Sequence, residues 1–259
     1  AVACLALYRT LPPGEDDPQE PGERAESPTI SYRDRELPVL EGVAVNSYVS
    51  DGFSVNDRGW LTYEQDGKQA AIGIDVSAYQ GEIDWQQVAD SGGEFAMIRL
   101  GDRGYSQGVI MPDKNFEQNL RGALDAGLEV GVYFFSQAVT VQEAIMEADY
   151  VLGLLDGVPL DLPVYFDWEP VFADDSRTAS FDASRLTNIA AGIYLNRQQG
   201  YYQYDLSRLA DWSLWVADYN DYPDFYYAFD MWQYSDSAAL DGVPTQADLN
   251  FLFVPSPRG

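Results

Sequence analysis

The chain has 259 residues, of which 46% are hydrophobic, 14% are aromatic and 22% are charged. This composition is typical of a packed globular protein and excludes a chain that is disordered throughout. Forty-two acidic against 15 basic residues give a net charge of −27, so no nucleic-acid partner is expected because polyanions are repelled. The chain has no His, which excludes His-containing catalytic triads and His-ligated metals and leaves acid–base chemistry to carboxylates, Tyr or the single Cys4.

The first 40 residues are predicted to form an anchor stub followed by a disordered linker. Residues 1–7 are a short apolar run, compatible with the remnant of a signal or membrane anchor and equally with an arbitrary chain boundary. A lipid-modified Cys4 is a third interpretation. From Pro12 to Pro28 the chain is rich in Pro and Glu without large apolar residues, so it cannot bury enough surface to offset its ordering entropy.

Residues 41–70 contain short β-like runs, VAVNSYV and GWLTYE, separated by Asp-Gly and Asn-Asp turn signals. They predict a β-hairpin extension. After residue 70, apolar strand-like runs alternate with helical stretches near Trp85 to Ala89, Asn115 to Ala126 and Val141 to Leu155. Continuous apolar runs indicate strands buried on both faces, as in parallel sheets. The pattern predicts an α/β domain over residues 71–259, either an open doubly wound sheet or a closed barrel.

The segment VYFDWE ends a predicted strand in two carboxylates, Asp167 and Glu169. Residues two apart on a strand point to the same side, so these side chains project together. Paired carboxylates in a partly dry site titrate differently, and the one that keeps its proton is a general acid of the kind that glycosidic bond cleavage needs. The plain alternative is a strand that ends in two solvated acids. Asp75 and Asp248, at the ends of two further strand candidates, favour a constellation.

Eight short motifs then carry a resemblance to a known family. They are GIDVS from Gly73, QGEIDW from Gln80, FAMIR from Phe95, GVYFF from Gly131, DWE at 167–169, WVADY from Trp215, WQY from Trp232 and DLN from Asp248. In this order, over about residues 71–254, they resemble the family 25 glycoside hydrolases, N-acetylmuramidases that cut the β-1,4 bond after N-acetylmuramic acid in peptidoglycan. The resemblance implies an irregular TIM-like (β/α) barrel of eight strands with few helices in its C-terminal part.

The resemblance also implies roles for individual residues. Glu169 resembles the general acid, Asp167 its partner carboxylate, and Asp75 and Asp248 the other two acids of the cluster. Aromatic and polar side chains near the strand ends are candidates for substrate binding, because sugar rings stack on aromatic planes: Tyr79, Arg99, Tyr133, Tyr194, Trp215, Tyr219, Trp232 and Gln233. Two features depart from the family: only about ten residues, Asp182 to Ala191, remain for the fourth helix, and Tyr133-Phe134-Phe135 replaces a frequent Tyr-His-Phe.

The leading hypothesis is therefore a peptidoglycan hydrolase that acts outside the cell or at its surface, as a monomer, without cofactor or metal. Its partner is the peptidoglycan glycan strand, and any membrane contact is expected through the N-terminal anchor alone. A second hypothesis is another barrel glycosidase, such as a chitinase. It lacks support because the longer acidic motif of those enzymes is missing at residues 164–169. A third hypothesis is a degenerate barrel that binds wall glycan without cleaving it.

Overall fold

A computed structural model describes residues 28–179 and 192–253. The chain divides into two units, residues 1–39 and 40–259. In the first unit, strands β1 (Thr29–Tyr32) and β2 (Arg35–Pro38) form an antiparallel hairpin, with Arg33 at φ 56° in its turn. These residues fall within the segment predicted to be a linker. They form a hairpin because the Pro/Glu-rich composition stops at Pro28 and a β-prone TISY run follows; the N-terminal apolar run lies outside the described residues.

The second unit begins with a small antiparallel sheet. It contains β3 (Phe53–Val55), β4 (Leu61–Gln65) and β5 (Lys68–Gln69), joined as two successive hairpins. The run VAVNSYV, predicted to be β-like, is not a strand. Val45 makes a single bridge to Tyr227, and the backbone and side chain of Asn46 donate to the carbonyls of Tyr226 and Phe225.

Eight strands close into a barrel, which confirms the predicted fold class and decides against an open sheet. The barrel strands are β6 (Ala71–Val76), β7 (Phe95–Arg103), β9 (Glu129–Ser136), β10 (Val164–Trp168), β11 (Gly192–Asn196), β12 (Ser213–Ala217), β13 (Met231–Ala238) and β14 (Ala247–Leu252). Their closed order is β6-β7-β9-β10-β11-β12-β13-β14 and back to β6. Every pairing is parallel except those of β14, which runs antiparallel to both of its neighbours. A short strand, β8 (Ile110–Pro112), pairs with the end of β7.

Four helices lie between these strands in the described part of the chain: α1 (Trp85–Asp90), α2 (Phe116–Asp125), α3 (Val141–Leu154) and α4 (Arg197–Tyr202). Asp84 and Thr140 cap the N-termini of α1 and α3 with their side-chain oxygens. No α-helix separates β12, β13 and β14, as the resemblance implied. The predicted fourth helix, Asp182 to Ala191, lies outside the described residues. None of the described helices is long and apolar enough to cross a membrane.

Alternation along the strands fills the barrel interior with large side chains. The buried interior cluster contains Phe95, Met97, Leu162, Tyr165, Tyr194, Trp215, Ala217, Met231 and Leu252. Room for these rings comes from glycine: a Cβ atom on Gly73 would lie 2.5 Å from the ring of Phe95. The interior is therefore packed with side chains beneath the rim.

The small sheet covers the part of the barrel wall that lacks helices. Phe53 of β3 packs edge-on against Trp232 of β13, with ring centroids 5.4 Å apart. Tyr48 stacks on Phe253, just beyond β14, at 3.8 Å. Because β13 and β14 would otherwise expose aromatic side chains to water, this sheet replaces the missing helices as the outer layer of the barrel.

Candidate active site

The four predicted acids lie together at one rim of the barrel and line a single cleft. Asp75 is near the carboxyl end of β6, and Asp167 and Glu169 are at and just past the end of β10. Asp248 is near the start of β14, yet it reaches the same rim because that strand runs in the opposite direction, which places it directly across from Asp75. The chain thus brings the acids together at the end where barrel enzymes carry their active sites.

Two amide side chains organise the acids. Asn250 Nδ2 donates to Asp75 Oδ2 at 2.8 Å, and Gln233 Nε2 donates to the same oxygen at 2.8 Å. Gln233 Nε2 also lies 3.4 Å from Asp248 Oδ2. Two amide donors on one carboxylate oxygen favour the ionised form of Asp75.

The orientation of both amides is fixed by donors on their other side. The indole N–H of Trp215 donates to Asn250 Oδ1 at 2.9 Å, and an indole nitrogen cannot accept. The hydroxyls of Tyr194 and Tyr219 both donate to Gln233 Oε1 at 2.9 Å. Each amide therefore presents its NH₂ group to the acids, and the aromatic residues set the polarity of the site.

The charge of Asp75 raises the pKa values of the other three acids. Burial raises the pKa of Glu169, and the charge of Asp75 raises it further. Burial and the same charge raise the pKa of Asp248 to about 9. Burial raises the pKa of Asp75 itself, although its amide donors counteract that effect. Among the described residues, no group of acidic or Cys side chains is arranged to hold a metal ion.

Asp167 and Glu169 form a coupled pair in which Asp167 is the deeper member. The Asp167 side chain is buried, and its Oδ1 accepts no hydrogen bond from the described residues. Burial, then the charge of Glu169, then that of Asp75 raise the pKa of Asp167 well above its ordinary range. Glu169 is half-buried, so it is the member that faces the open cleft. The pair therefore holds a proton to higher pH than an isolated carboxyl does, as a general acid requires.

One cation faces these acids across the cleft. Arg99 of β7 is fixed by Asp113, whose Oδ2 accepts from Nε at 2.9 Å and from a terminal nitrogen at 2.8 Å. The guanidinium lies 5.2 Å from the ring centroid of Tyr79, whose side chain is 78% exposed at the rim. The charge of Arg99 lowers the pKa of Asp167, opposing its burial. Tyr79 therefore offers an exposed aromatic plane beside the acids.

The cleft contains most of the predicted binding residues: Tyr79, Arg99, Tyr133, Tyr194, Trp215 and Gln233. Tyr219 reaches the site through its bond to Gln233. Trp232 is not among the described residues that line the cleft. Its side chain is fully buried on the outer face of β13, where the indole N–H donates to the carbonyl of Asp218, because neighbouring residues on a strand point to opposite faces and Gln233 points inward.

Two residues that hold the charged side chains of the site in place, Asn250 and Asp113, were not predicted as members. Asn250 lies two residues after Asp248 on the same strand face, so the alternation of β14 could have predicted that it faces the site. Asp113 follows β8 in a turn, and nothing in the sequence pairs it with Arg99.

Comparison with known proteins agrees with this geometry. The family model for glycosyl hydrolases family 25 matches residues 74–243. The chain belongs to this family. Among characterised relatives, it is 27% identical to the autolytic lysozyme of Clostridium acetobutylicum over 184 residues, which are 69% of this chain and 54% of that protein. The chain thus spans about half the length of that relative.

Two solved structures share the fold. The spore cortex lytic enzyme SleM of Clostridium perfringens superposes with a TM-score of 0.57 at 22% identity, over 71% of this chain and 67% of that one. A family 25 glycosyl hydrolase from Bacillus anthracis superposes with a TM-score of 0.55 at 20% identity, over 75% of this chain and 93% of that one. At these identities the two structures support the barrel fold alone.

Proposed function

We propose that this family 25 protein is an N-acetylmuramidase that hydrolyses the β-1,4 bond between N-acetylmuramic acid and N-acetylglucosamine in peptidoglycan. The observation that carries the proposal is the convergence of Asp75, Asp167, Glu169 and Asp248 at one barrel rim, beside an exposed aromatic plane. Family membership and the lysozyme relative support the same substrate class.

In this proposal Glu169 donates its proton to the glycosidic oxygen, and the bond from that oxygen to the anomeric carbon breaks. Positive charge then develops on the sugar ring, and the ionised Asp75 beside Asp167 stabilises it. Water adds to the anomeric carbon and gives a proton to a carboxylate, which restores the acid. Tyr79 and Trp215 are proposed to contact the sugars, and Tyr133, whose raised pKa keeps it neutral, acts as a hydrogen-bond donor. Tyr194 acts through Gln233, to which its hydroxyl donates.

The protein is further proposed to act on the cell wall from outside the cytoplasm, as a secreted or surface-bound monomer. This part rests on the substrate, because peptidoglycan lies outside the cell membrane. Anchoring through the N-terminal apolar run stays a prediction.

The test is mass analysis of fragments released from purified peptidoglycan after borohydride reduction. The expected result is new reduced ends on muramic acid, absent with the Glu169→Gln variant. Reduced ends on N-acetylglucosamine would assign a different bond. Binding to walls without release of fragments would favour the non-catalytic glycan-binding barrel.

A further inference from the structure

Glu169 is the one acid of the site that lies beyond the strand ladder. β10 ends at Trp168, and its last pairing with β11 joins Asp167 to Tyr194. The last pairing with β9 joins Trp168 to Ser136, so the Trp168 carbonyl on the β11 side and the peptide group after Glu169 have no strand partner to fix them. Because a rotation of either peptide plane swings the side chain, something else must hold this residue if its carboxyl is to act at a defined position.

Two buried glutamines occupy those positions. Gln199 Nε2 donates to the carbonyl of Trp168 at 2.7 Å, and Gln137 Nε2 donates to the carbonyl of Glu169. Gln199 is 2% exposed and Gln137 is fully buried. They come from opposite sides of β10, since Gln137 follows β9 and Gln199 lies in α4 after β11.

Each glutamine is itself fixed by further hydrogen bonds. Gln137 donates a second N–H to the carbonyl of Ser136 at 3.0 Å, and its Oε1 accepts from the hydroxyl of Thr178 at 2.5 Å. That hydroxyl also accepts from the backbone N–H of Val171, which ties in the loop after Glu169. Gln199 Oε1 accepts from the backbone N–H of Asn196 in a capping box. Such fully satisfied buried amides are rigid.

We propose that Gln137 and Gln199 are positioning residues that fix the Glu169 carboxyl by clamping the carbonyls on both sides of it. The inference rests on the proposed role of Glu169 as the acid. Neither glutamine lines the cleft, so both act through Glu169 and neither touches substrate.

The clamp also determines the surroundings of the Glu169 carboxyl. The charge of Asp75 raises the pKa of Glu169. The titratable groups that respond to the charge of Glu169 are Asp167, Tyr194, Tyr204 and Asp248, which come from three barrel strands and the loop beyond α4. Release of the clamp lets the carboxyl turn toward water, so the pKa of Glu169 falls toward its ordinary value of 4.5.

The first experiment measures this pKa by ¹³C NMR titration of the labelled full chain. Gln137→Met and Gln199→Met keep the length of the side chain and remove the N–H donor. The matched control is Tyr165→Phe. Tyr165 lies lower on β10, and the change removes its partly buried hydrogen bond to Ser213 of β12. We expect a lower Glu169 midpoint in both Met variants and no change in the control. An unchanged midpoint in the Met variants overturns the clamp, even if the chain proves inactive on peptidoglycan.

The second experiment is a double-mutant cycle with Glu169→Gln on peptidoglycan fragments. Misplacement of the acid by about 1 Å lowers kcat about 100-fold, while KM stays within about threefold. In the Glu169→Gln background the same Met substitutions should cost less than about threefold, because no acid remains to be misplaced. Equal losses in both backgrounds would assign the glutamines a purely structural role.

A third variant tests the proposal even if the Met variants do not fold. Gln137→Glu keeps the shape and the acceptor for Thr178, but it donates to the Glu169 carbonyl only when it is protonated. Its kcat deficit relative to wild type should therefore shrink as the pH is lowered. A deficit that is independent of pH contradicts the clamp.

Discussion

Asp248 lies directly across from Asp75 in the antiparallel pairing of β14 with β6, with the Gln233 amide between their carboxyl groups. Burial and the charge of Asp75 raise the pKa of Asp248 from 3.8 to about 9. Burial also raises the pKa of Asp75, but its two amide donors oppose that effect, so Asp248 is the member of the pair that holds its proton more strongly.

This relationship predicts how stability depends on pH. The folded chain holds a proton on Asp248 that the unfolded chain releases above pH 3.8, so the free energy of unfolding falls as pH rises toward about 9. Asp248→Asn removes this loss and should raise the melting temperature at pH 8 relative to wild type, with little difference at pH 4. Calorimetry at both pH values checks the sign. A variant whose melting temperature at pH 8 is no higher than that of wild type would contradict the protonated state.

The pH–rate profile should respond to Asp75 more than to Asp167. Among the neighbouring charges, Asp75 is the one that raises the pKa of Glu169, whereas Glu169 raises the pKa of Asp167. Asp75→Asn should move the upper limb of kcat to lower pH, because the charge that holds the proton on Glu169 is gone. Asp167→Asn should move it less. Initial rates on a soluble glycan across pH 3 to 9 compare both variants, and a larger shift for Asp167→Asn would reverse this order.

Trp232 should matter for stability and not for substrate binding. Its ring packs against Phe53 and stacks near Phe251 on the outer wall of the barrel. Trp232→Ala should lower the free energy of unfolding by about 3–5 kcal/mol, the usual cost of emptying a buried aromatic site. KM of the folded fraction should stay unchanged. Urea unfolding and steady-state kinetics measure the two effects, and a raised KM would return this residue to the binding site.

Truncation should separate the two N-terminal segments. Removal of residues 1–39 should leave wall lysis near the wild-type level, because the described residues that line the cleft all belong to the second unit. Removal of residues 1–69 should abolish folding, since it strips Tyr48, Phe53 and Tyr63 from the aromatic cluster on β13 and β14. Circular dichroism and lysis of both truncated chains test this contrast. A folded, soluble 70–259 chain would show that the small sheet is dispensable.

The sequence predicted the barrel and its acids because both depend on local alternation. In the apolar strand runs that end in Asp75 and Asp167, the alternation of residues indicates which side chains point toward the core. The same alternation shows that Trp232 and Gln233 cannot both face the cleft, a distinction that was lost where these adjacent residues were treated alike. Asp113, Gln137 and Gln199 lie in turns and a helix cap, and their partners are distant in sequence. Only the folded structure reveals them.

The central claim is that Glu169 protonates the leaving oxygen, and leaving-group dependence tests it most directly. Glu169→Gln should lower kcat/KM on natural glycan by a factor of about 100 to 10,000, with an unchanged melting temperature. On a dinitrophenyl glycoside of the same sugars, whose leaving group needs no proton, the loss should be less than about tenfold. Equal losses on both substrates, or retention of more than about a tenth of the activity on natural glycan, would contradict the assignment of Glu169 as the general acid.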